Sequence, residues 1–308
     1  MSSIFITGAS GFIGEALCRK MLAGGFRVKA AVRGKEKLLP GAEGLVIGSI
    51  ETFNGYEDEL KGVDTVVHLA GYAHSKGSIS DFRRVNVAGT ERLAKAAAKA
   101  GVKRFIFISS VKVNGENSIR PFTEDDPCKP QDAYGISKME AEQALQEISS
   151  LSAMQTVILR LPLVYGAGVK ANFKNLVRLA GSGLPLPLKS IRNKRSLVYL
   201  GNLIDAVLTC VDHPAAGNQI FMISDGEDVS TPELIEKIAA ALNKRAILLP
   251  FPPFALKLFC SLIGKRDEFD KFAGSLTVDP GKIRRLLGWK PAFTLEQGIN
   301  QTVKAYLC

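Results

Sequence analysis

Short apolar runs rich in β-branched residues alternate with stretches of helical period through the first half of the chain. Ile4–Thr7, Arg27–Val32, Gly44–Gly48, Asp64–Ala70, Arg104–Ser109 and Thr156–Leu161 read as strands. They are apolar almost throughout, as strands covered on both faces should be. Helices are expected between them at Ile13–Ala23, Asp81–Ala100 and Asp132–Ser150. This alternation predicts an α/β fold with a doubly wound parallel sheet. After Tyr165 the pattern loosens. A helix Asn172–Gly181 leads to a turn-rich stretch, a strand Leu197–Tyr199, a helix Gly201–Asp212 and a strand Gln219–Ile223. STPELIEKIAAALN then reads as a helix, with Ser230 or Thr231 as its cap and Pro232 in its first turn.

Composition narrows the picture only a little. The 308 residues are 46% hydrophobic and 23% charged, ordinary for a globular protein, with a formal net charge of +10. Lys and Arg are scattered, with no run of five and no aromatic interleaving. Phosphate-bearing small ligands therefore rank above nucleic acid. Cys18, Cys128, Cys210, Cys260 and Cys308 form no CxxC pair, and His68, His74 and His213 form no cluster. Free thiols in a reducing cytosol and no metal site are expected. The chain opens directly on a strand, with no leader pattern, and no apolar run reaches transmembrane length. LPFPPFALKLFCSLIG, residues 249–264, comes closest. It reads as an amphipathic or buried helix packed on a second lobe, with a membrane-surface helix as the alternative.

Chemistry begins at ITGASGFIGEAL. Gly8, Gly11 and Gly14 follow the first strand and open the first helix, with Ser10, Phe12 and Ile13 in the same turn. Glycines let the backbone turn tightly, and a helix N-terminus offers free N–H groups to a pyrophosphate. A Rossmann dinucleotide-binding domain is expected over residues 1–165 and about 195–224, with a smaller discontinuous substrate lobe over 166–194 and 225–308. At the end of the second strand stands Arg33, where a site that prefers NAD usually has an acid. A guanidinium suits a 2′-phosphate, which favours NADP(H); NAD(H) with Arg33 stacked on adenine is the alternative.

Tyr134 and Lys138 lie four apart on an expected helix, hence on one face. An ammonium beside a phenol favours the phenolate, which equips Tyr134 to trade protons with a sugar hydroxyl or carbonyl. With these pieces the chain resembles an extended short-chain dehydrogenase/reductase of the nucleotide-sugar epimerase/dehydratase group. The matching stretches are GASGFIG, HLAG (His68–Gly71), VNVAGT (Val85–Thr90), SSVKVNG, YGISK, LRLPLVYG (Leu159–Gly166) and RSLVYLGNLIDA (Arg195–Ala206). The resemblance implies that Ser110, Tyr134 and Lys138 form the catalytic set, with Ser109 one residue out of register. It implies that Leu69, Ala70, Gly71, Asn86, Ser109 and Pro162 line the cofactor, and that Lys138 also holds the nicotinamide ribose. Arg195, Asn172, Lys112 and Lys271 are the implied contacts to a UDP-sugar. Two departures stand out: Ser49 replaces an acid that often touches adenine, and Leu163 replaces an asparagine near the sugar nucleotide.

The stretch FIFISSVKVNGE decides the reaction class. Sugar dehydratases of this group resemble a version in which Asp and Glu follow the hydroxyl residue. Here those positions are Val111 and Lys112, which cannot share acid and base duty. Dehydration is therefore not expected. Oxidoreduction at C4 of a UDP-sugar remains. Reduction of a UDP-4-keto-6-deoxy-N-acetylhexosamine in bacterial polysaccharide synthesis is placed first, on Arg33, and UDP-hexose or UDP-N-acetylhexosamine 4-epimerisation second. A non-catalytic cofactor sensor is the remote alternative. The resemblance also suggests a homodimer through residues 81–100 and 132–150.

Overall fold

The computed structural model describes residues 2–73, 77–169 and 172–307 and, of Glu36 and Asn172, the backbone only. His74 and Cys308 thus lie outside the described residues. The strands are β1 Ser3–Thr7, β2 Arg27–Val32, β3 Glu43–Val46, β4 Thr65–His68, β5 Arg104–Ser110, β6 Gln155–Leu161, β7 Leu163–Tyr165, β8 Pro185–Leu186, β9 Leu197–Tyr199, β10 Gln219–Met222 and β11 Ile247–Leu248. The α-helices are α1 Phe12–Ala23, α2 Tyr56–Glu59, α3 Ile79–Phe82, α4 Gly89–Lys99, α5 Ala133–Ser150, α6 Asn172–Gly181, α7 Leu200–Asp212, α8 Thr231–Ala241, α9 Pro253–Leu262, α10 Arg266–Ala273, α11 Gly281–Leu287 and α12 Leu295–Leu307.

Seven strands form one sheet in the order β10-β6-β5-β4-β1-β2-β3, every pair parallel. The expected Rossmann-type doubly wound sheet is therefore present. Side-chain alternation divides its core in two. Ile4 and Ile6 of β1 face α1, α7 and α11, while Phe5 faces the layer of α2, α4 and α5. Burial on both faces explains why these strands lack polar positions. Leu93, Ala94 and Ala97 of α4 and Ala141 and Leu145 of α5 are buried in the second layer.

The expected helix over 81–100 is interrupted. Residues Arg83–Ala88 form a π-helical stretch between α3 and α4. The wider turn adds a residue, a device often found where a side chain must be re-aimed at a site. It carries Asn86 inward, where the side chain is buried.

A second core lies under α6, α8, α12 and the small β7–β9 sheet, around Tyr165, Phe173, Ile235, Ile238 and Ile299. Ser230 caps α8 in a capping box with Glu233, and Thr231 begins the helix. Ile283, Leu287 and Trp289 join the sheet's own core and not the second one. Helix α9, expected to be amphipathic or buried, contains no buried residue at all. No helix among the described residues is long and apolar enough to cross a membrane.

Candidate active site

The glycine turn between β1 and α1 has the shape its sequence demands. Gly8 adopts φ +67°, and a Cβ there would meet Ala70 N at 2.8 Å. A Cβ on Gly14 would fall 2.1 Å from Gly8 O, so this packing admits no side chain. Gly11 caps α1 in extended conformation without a side-chain hydrogen bond, leaving the first amides of the helix, from Phe12 and Ile13 onward, open to an anion. Ser10 is half-buried in the same turn. These features fit a dinucleotide pyrophosphate.

A buried polar chain fixes the neighbouring strand ends. Ala70 N donates to Thr7 Oγ1 at 3.2 Å, and His68 bridges Thr7 Oγ1 (2.6 Å) and Thr90 Oγ1 (2.9 Å). The Thr90 hydroxyl donates to Asn86 O at 2.6 Å, so His68 Nε2 carries the proton and Nδ1 accepts from Thr7. Burial first, and then the nearby Lys138 charge, push His68 down to about 3, so it stays neutral. Asn86 accepts from Tyr72 N and donates to Tyr72 O and Ser137 Oγ. Ser137 in turn donates to Tyr134 O. Asn86 thereby ties the cofactor-side loop with Leu69, Ala70 and Gly71 to the helix that carries Tyr134 and Lys138. Pro162 is buried just after β6.

The two serines of β5 point to opposite sides, as alternation requires. Ser109 is buried and donates to Glu142. Ser110 is half-buried, and its Oγ accepts from Lys112 N. Of the two, Ser110 is the more exposed. Tyr134 and Lys138 sit on the first turns of α5. The Lys138 Nζ lies over the Phe107 ring, 4.1 Å from its centroid, and near Gly71. The Phe82 ring stands edge-on to Tyr134 at 6.3 Å.

The electrostatics differ from the sequence expectation. Burial, reinforced by the Asp132 charge, pushes the Tyr134 phenol up to about 12. Burial draws the Lys138 ammonium down to about 7, with Glu142 acting the other way. Both shifts have one cause: the charged form of each group is poorly solvated. Lys138 is thus the group of the pair that titrates near neutrality.

Behind this pair lies a buried network that the sequence reading missed. Arg160 and Glu142 form an ion pair at 2.7 Å with both side chains buried, and Arg160 also donates to Asn114 Oδ1. The signal was there: Glu142 follows Lys138 by one helical turn, and Arg160 is a lone charge inside an apolar strand that needs a partner.

Lys112 answers a structural need. It pairs with Asp132 at 2.5 Å and Glu116 at 2.8 Å. Asp132 is the N-cap of α5, accepting from Gly135 N at 2.7 Å. The strand-end lysine therefore anchors the first turn of the helix that presents Tyr134. Lys271 reaches Glu116 at 4.0 Å, and Arg195 donates to Lys271 O and to Gly274 O. The fold so brings Lys112, Arg195 and Lys271 onto one polar track. Asn172 opens α6, and its side chain lies outside the description. Arg33 is exposed at the end of β2. Beyond it, Glu51 is bound by Arg84 at 2.5 Å and Ser49 at 2.5 Å. Burial opposes ionisation of Glu51, yet the Ser49 hydroxyl, Arg84 and the Arg33 charge hold its carboxyl low. Glu51 is an acid near the Ser49 departure that sequence position alone did not reveal.

The parallel sheet and the glycine cradle at its first strand, with Tyr134 and Lys138 on the first turns of α5, are those of an extended short-chain dehydrogenase/reductase. The chain belongs to the NAD dependent epimerase/dehydratase family, whose model matches residues 4–224. It is 46% identical over 316 residues to a UDP-glucose 4-epimerase of Vibrio cholerae, an alignment covering 99% of this chain and 95% of that protein. A short-chain dehydrogenase/reductase superfamily protein of Agrobacterium tumefaciens, solved with bound NAD, superposes with a TM-score of 0.80 at 25% identity, covering 99% of this chain and 97% of that one. The fold is also that of a UDP-glucose 4-epimerase from Thermotoga maritima solved with UDP-glucose, with a TM-score of 0.81, 24% identity and coverage of 99% and 98%.

Proposed function

We propose that the protein is a UDP-sugar 4-epimerase acting on a UDP-hexose or UDP-N-acetylhexosamine. The observation that carries this reading is the 46% identity to a UDP-glucose 4-epimerase along 99% of the chain. It reverses the sequence-based order, which put 4-keto reduction first. Removal of water is disfavoured at the site itself. Val111 is buried, and Lys112 is engaged by Asp132 and Glu116, so the two positions that would hold an acid and a base hold neither.

A bound nicotinamide supplies the hydride acceptor and donor. The chain's own residues do the rest. In its phenolate form Tyr134 would take the C4 hydroxyl proton and return it after the sugar has turned; the Lys138 ammonium and the positive charge of an oxidised nicotinamide would favour that form against the pull of burial. Ser110 donates to the same oxygen and holds it in place. Lys138 shifts between ammonium and amine near pH 7 and sets the charge beside Tyr134. The cradle of Gly8, Gly11 and Gly14 holds the pyrophosphate of the dinucleotide, and Asn86 orients the loop beside it. Arg195, with Lys271 and Asn172, is assigned to the UDP diphosphate. NAD(H) is the cofactor supported by the NAD-bound relative; Arg33 supports a second reading, NADP(H)-dependent reduction of a 4-keto sugar nucleotide.

The test compares the two directly. Purified protein is offered UDP-glucose, UDP-galactose and their N-acetyl counterparts with no coenzyme added, then with NAD. Interconversion without net change in NADH, lost in Tyr134→Phe while coenzyme affinity stays the same, is the expected result. Steady consumption of NADPH with a UDP-4-keto-6-deoxy-N-acetylhexosamine, and no interconversion, would overturn it in favour of the reductase.

A further inference from the structure

Helix α9 exposes a broad apolar face. Phe254, Leu258 and Leu262 fall at four-residue spacing, with Phe259 and Ile263 on the same broad face, and all five are exposed. Phe254 is 75% and Leu262 78% exposed. The other face of the helix, Ala255, Leu256, Lys257, Cys260 and Ser261, is half-buried; Lys257 pairs with Asp270 of α10 at 2.8 Å, and Ser261 donates back to Lys257 O. The face continues onto the β8–β11 ribbon through Leu184, Ile247, Leu249 and Phe251. Of the fifteen exposed large apolar side chains among the described residues, eight fall between Ile247 and Ile263. Scattered single exposed leucines need no explanation, but a contiguous patch of this kind marks a surface that is covered in use.

The charges around the patch say what covers it. Lys189 N donates to Leu249 O, and Phe251 N donates to Ser190 Oγ, so the segment 186–196 runs beside the patch. That segment carries Lys189, Arg192, Lys194 and Arg195 and no acid, the first three exposed. Lys244 and Arg245 precede the ribbon, and Lys265 and Arg266 follow the helix, all exposed. The acids Asp267, Glu268 and Asp270 lie on α10, where Asp270 is neutralised by Lys257 and Arg266. A second copy docking face to face would bring these basic rims together, whereas an anionic bilayer complements them. The helix is ten residues long, about 15 Å, which suits lying in an interface and not crossing a membrane.

We infer that α9 and the β8–β11 ribbon form a docking face for an anionic lipid bilayer, seating Phe254, Leu258, Phe259, Leu262 and Ile263 at the boundary of headgroups and acyl chains. The protein would then work on the membrane surface without spanning it. The inference is independent of the proposed reaction.

The test is sedimentation of the full chain with vesicles of phosphatidylcholine alone or with added phosphatidylglycerol, at low and high salt. Light scattering of the free protein is recorded alongside. The expected result is co-sedimentation with the anionic vesicles, stronger by about tenfold than with neutral ones and weakened by salt. Leu258→Glu with Phe259→Glu should reduce it by a similar factor, as should Lys189→Glu with Arg192→Glu. Because all four side chains are exposed, each variant should keep the wild-type melting temperature and coenzyme affinity; where the first pair lowers either, Leu262→Ser gives the same reading with a milder change. Failure to sediment with anionic vesicles, or equal sedimentation of all variants, overturns the inference. So does a dimer that the Leu258 and Phe259 changes dissolve, because the face would then belong to a second copy.

Discussion

Glu142 touches neither cleft nor solvent, yet it bears on both stability and catalysis. It pairs with buried Arg160, accepts from Ser109 and raises the Lys138 ammonium against the pull of burial. Glu142→Gln leaves Arg160 charged and unpaired, a change that costs about 3–5 kcal/mol when a buried pair is broken. Urea unfolding should report that loss. The same change removes the one charge holding Lys138 up, so the titration near pH 7 should move to lower pH in the rate profile. The sign on stability follows from the same shift. Lys138 is lowered in the fold from 10.5 to about 7, so its buried charge destabilises fully below pH 7, and that penalty lifts as pH rises from 7 toward 10.5. Removing Glu142 lowers Lys138 further and widens that window, so the rise should grow in Glu142→Gln; Glu142→Met, which abolishes the acceptor as well, should enlarge it no more than Gln does, which separates charge from hydrogen bonding. Tyr134 and Lys138 were legible in the sequence because a helix puts residues four apart on one face. Their electrostatics were not, because desolvation depends on what covers the pair.

The strand–turn–helix at the start of the chain was the most readable element, since its glycines answer a steric demand written in the backbone. Gly14→Ala tests it. The added methyl would sit 2.1 Å from Gly8 O, so α1 must back away from the turn. Dinucleotide affinity, measured by titration of coenzyme fluorescence, should fall at least about tenfold, or ~1.4 kcal/mol. The start of α5 is a different case. Its cap, Asp132, was placed inside the expected helix, and only the fold shows that Lys112 from the strand end holds it. Burial disfavours the Asp132 carboxylate, but Lys112 and Gly135 N outweigh it and keep its titration below the ordinary 3.8. Its stabilising contribution is therefore present above about pH 4 and lost as pH falls through the lower, folded value. Asp132→Asn keeps a capping acceptor but loses the charge paired with Lys112, and should cost up to about 1 kcal/mol at pH 7 and nothing in strong acid. The turnover number should drop with little change in coenzyme affinity, because the first turn of α5 positions Tyr134 and not the dinucleotide. The π-helical stretch at Arg83–Ala88 left no mark in the sequence, since the 3.6-residue period blurs rather than breaks over one added residue.

The two lobes differ in legibility because they differ in how their contacts are spaced. The sheet is assembled from repeats of one local pattern, whereas the second lobe is closed by pairings between distant short segments. Phe122 bridges to Val278, and Arg195 bridges to Val229 and Leu276. No periodicity announces such single bridges. They strap the loop after β5 to the segment before α11: Ser118 N donates to Ser275 O at 2.8 Å and Phe122 N to Thr277 O at 2.9 Å. Glu116 begins that strap, with Lys112, in the turn after β5, on one side and Lys271 of α10 on the other. The Lys271 contact is long and half-exposed, worth at most about 1 kcal/mol by itself. Losing Glu116 leaves Lys112 still bound to Asp132. On this geometry Glu116→Gln should raise KM for the UDP-sugar about threefold to fivefold, equivalent to ~0.7–1 kcal/mol, because Lys271 loses the acid that holds it in place near Arg195. The turnover number should stay near wild type, because Asp132 keeps its lysine, and coenzyme affinity should not move, because the glycine cradle follows β1, two strands across the sheet from β5. Lys271→Met should reproduce the KM effect if the strap acts through the second lobe. An equal loss of coenzyme affinity in Glu116→Gln would instead make the loop part of the dinucleotide site and break the proposed division of labour between the lobes.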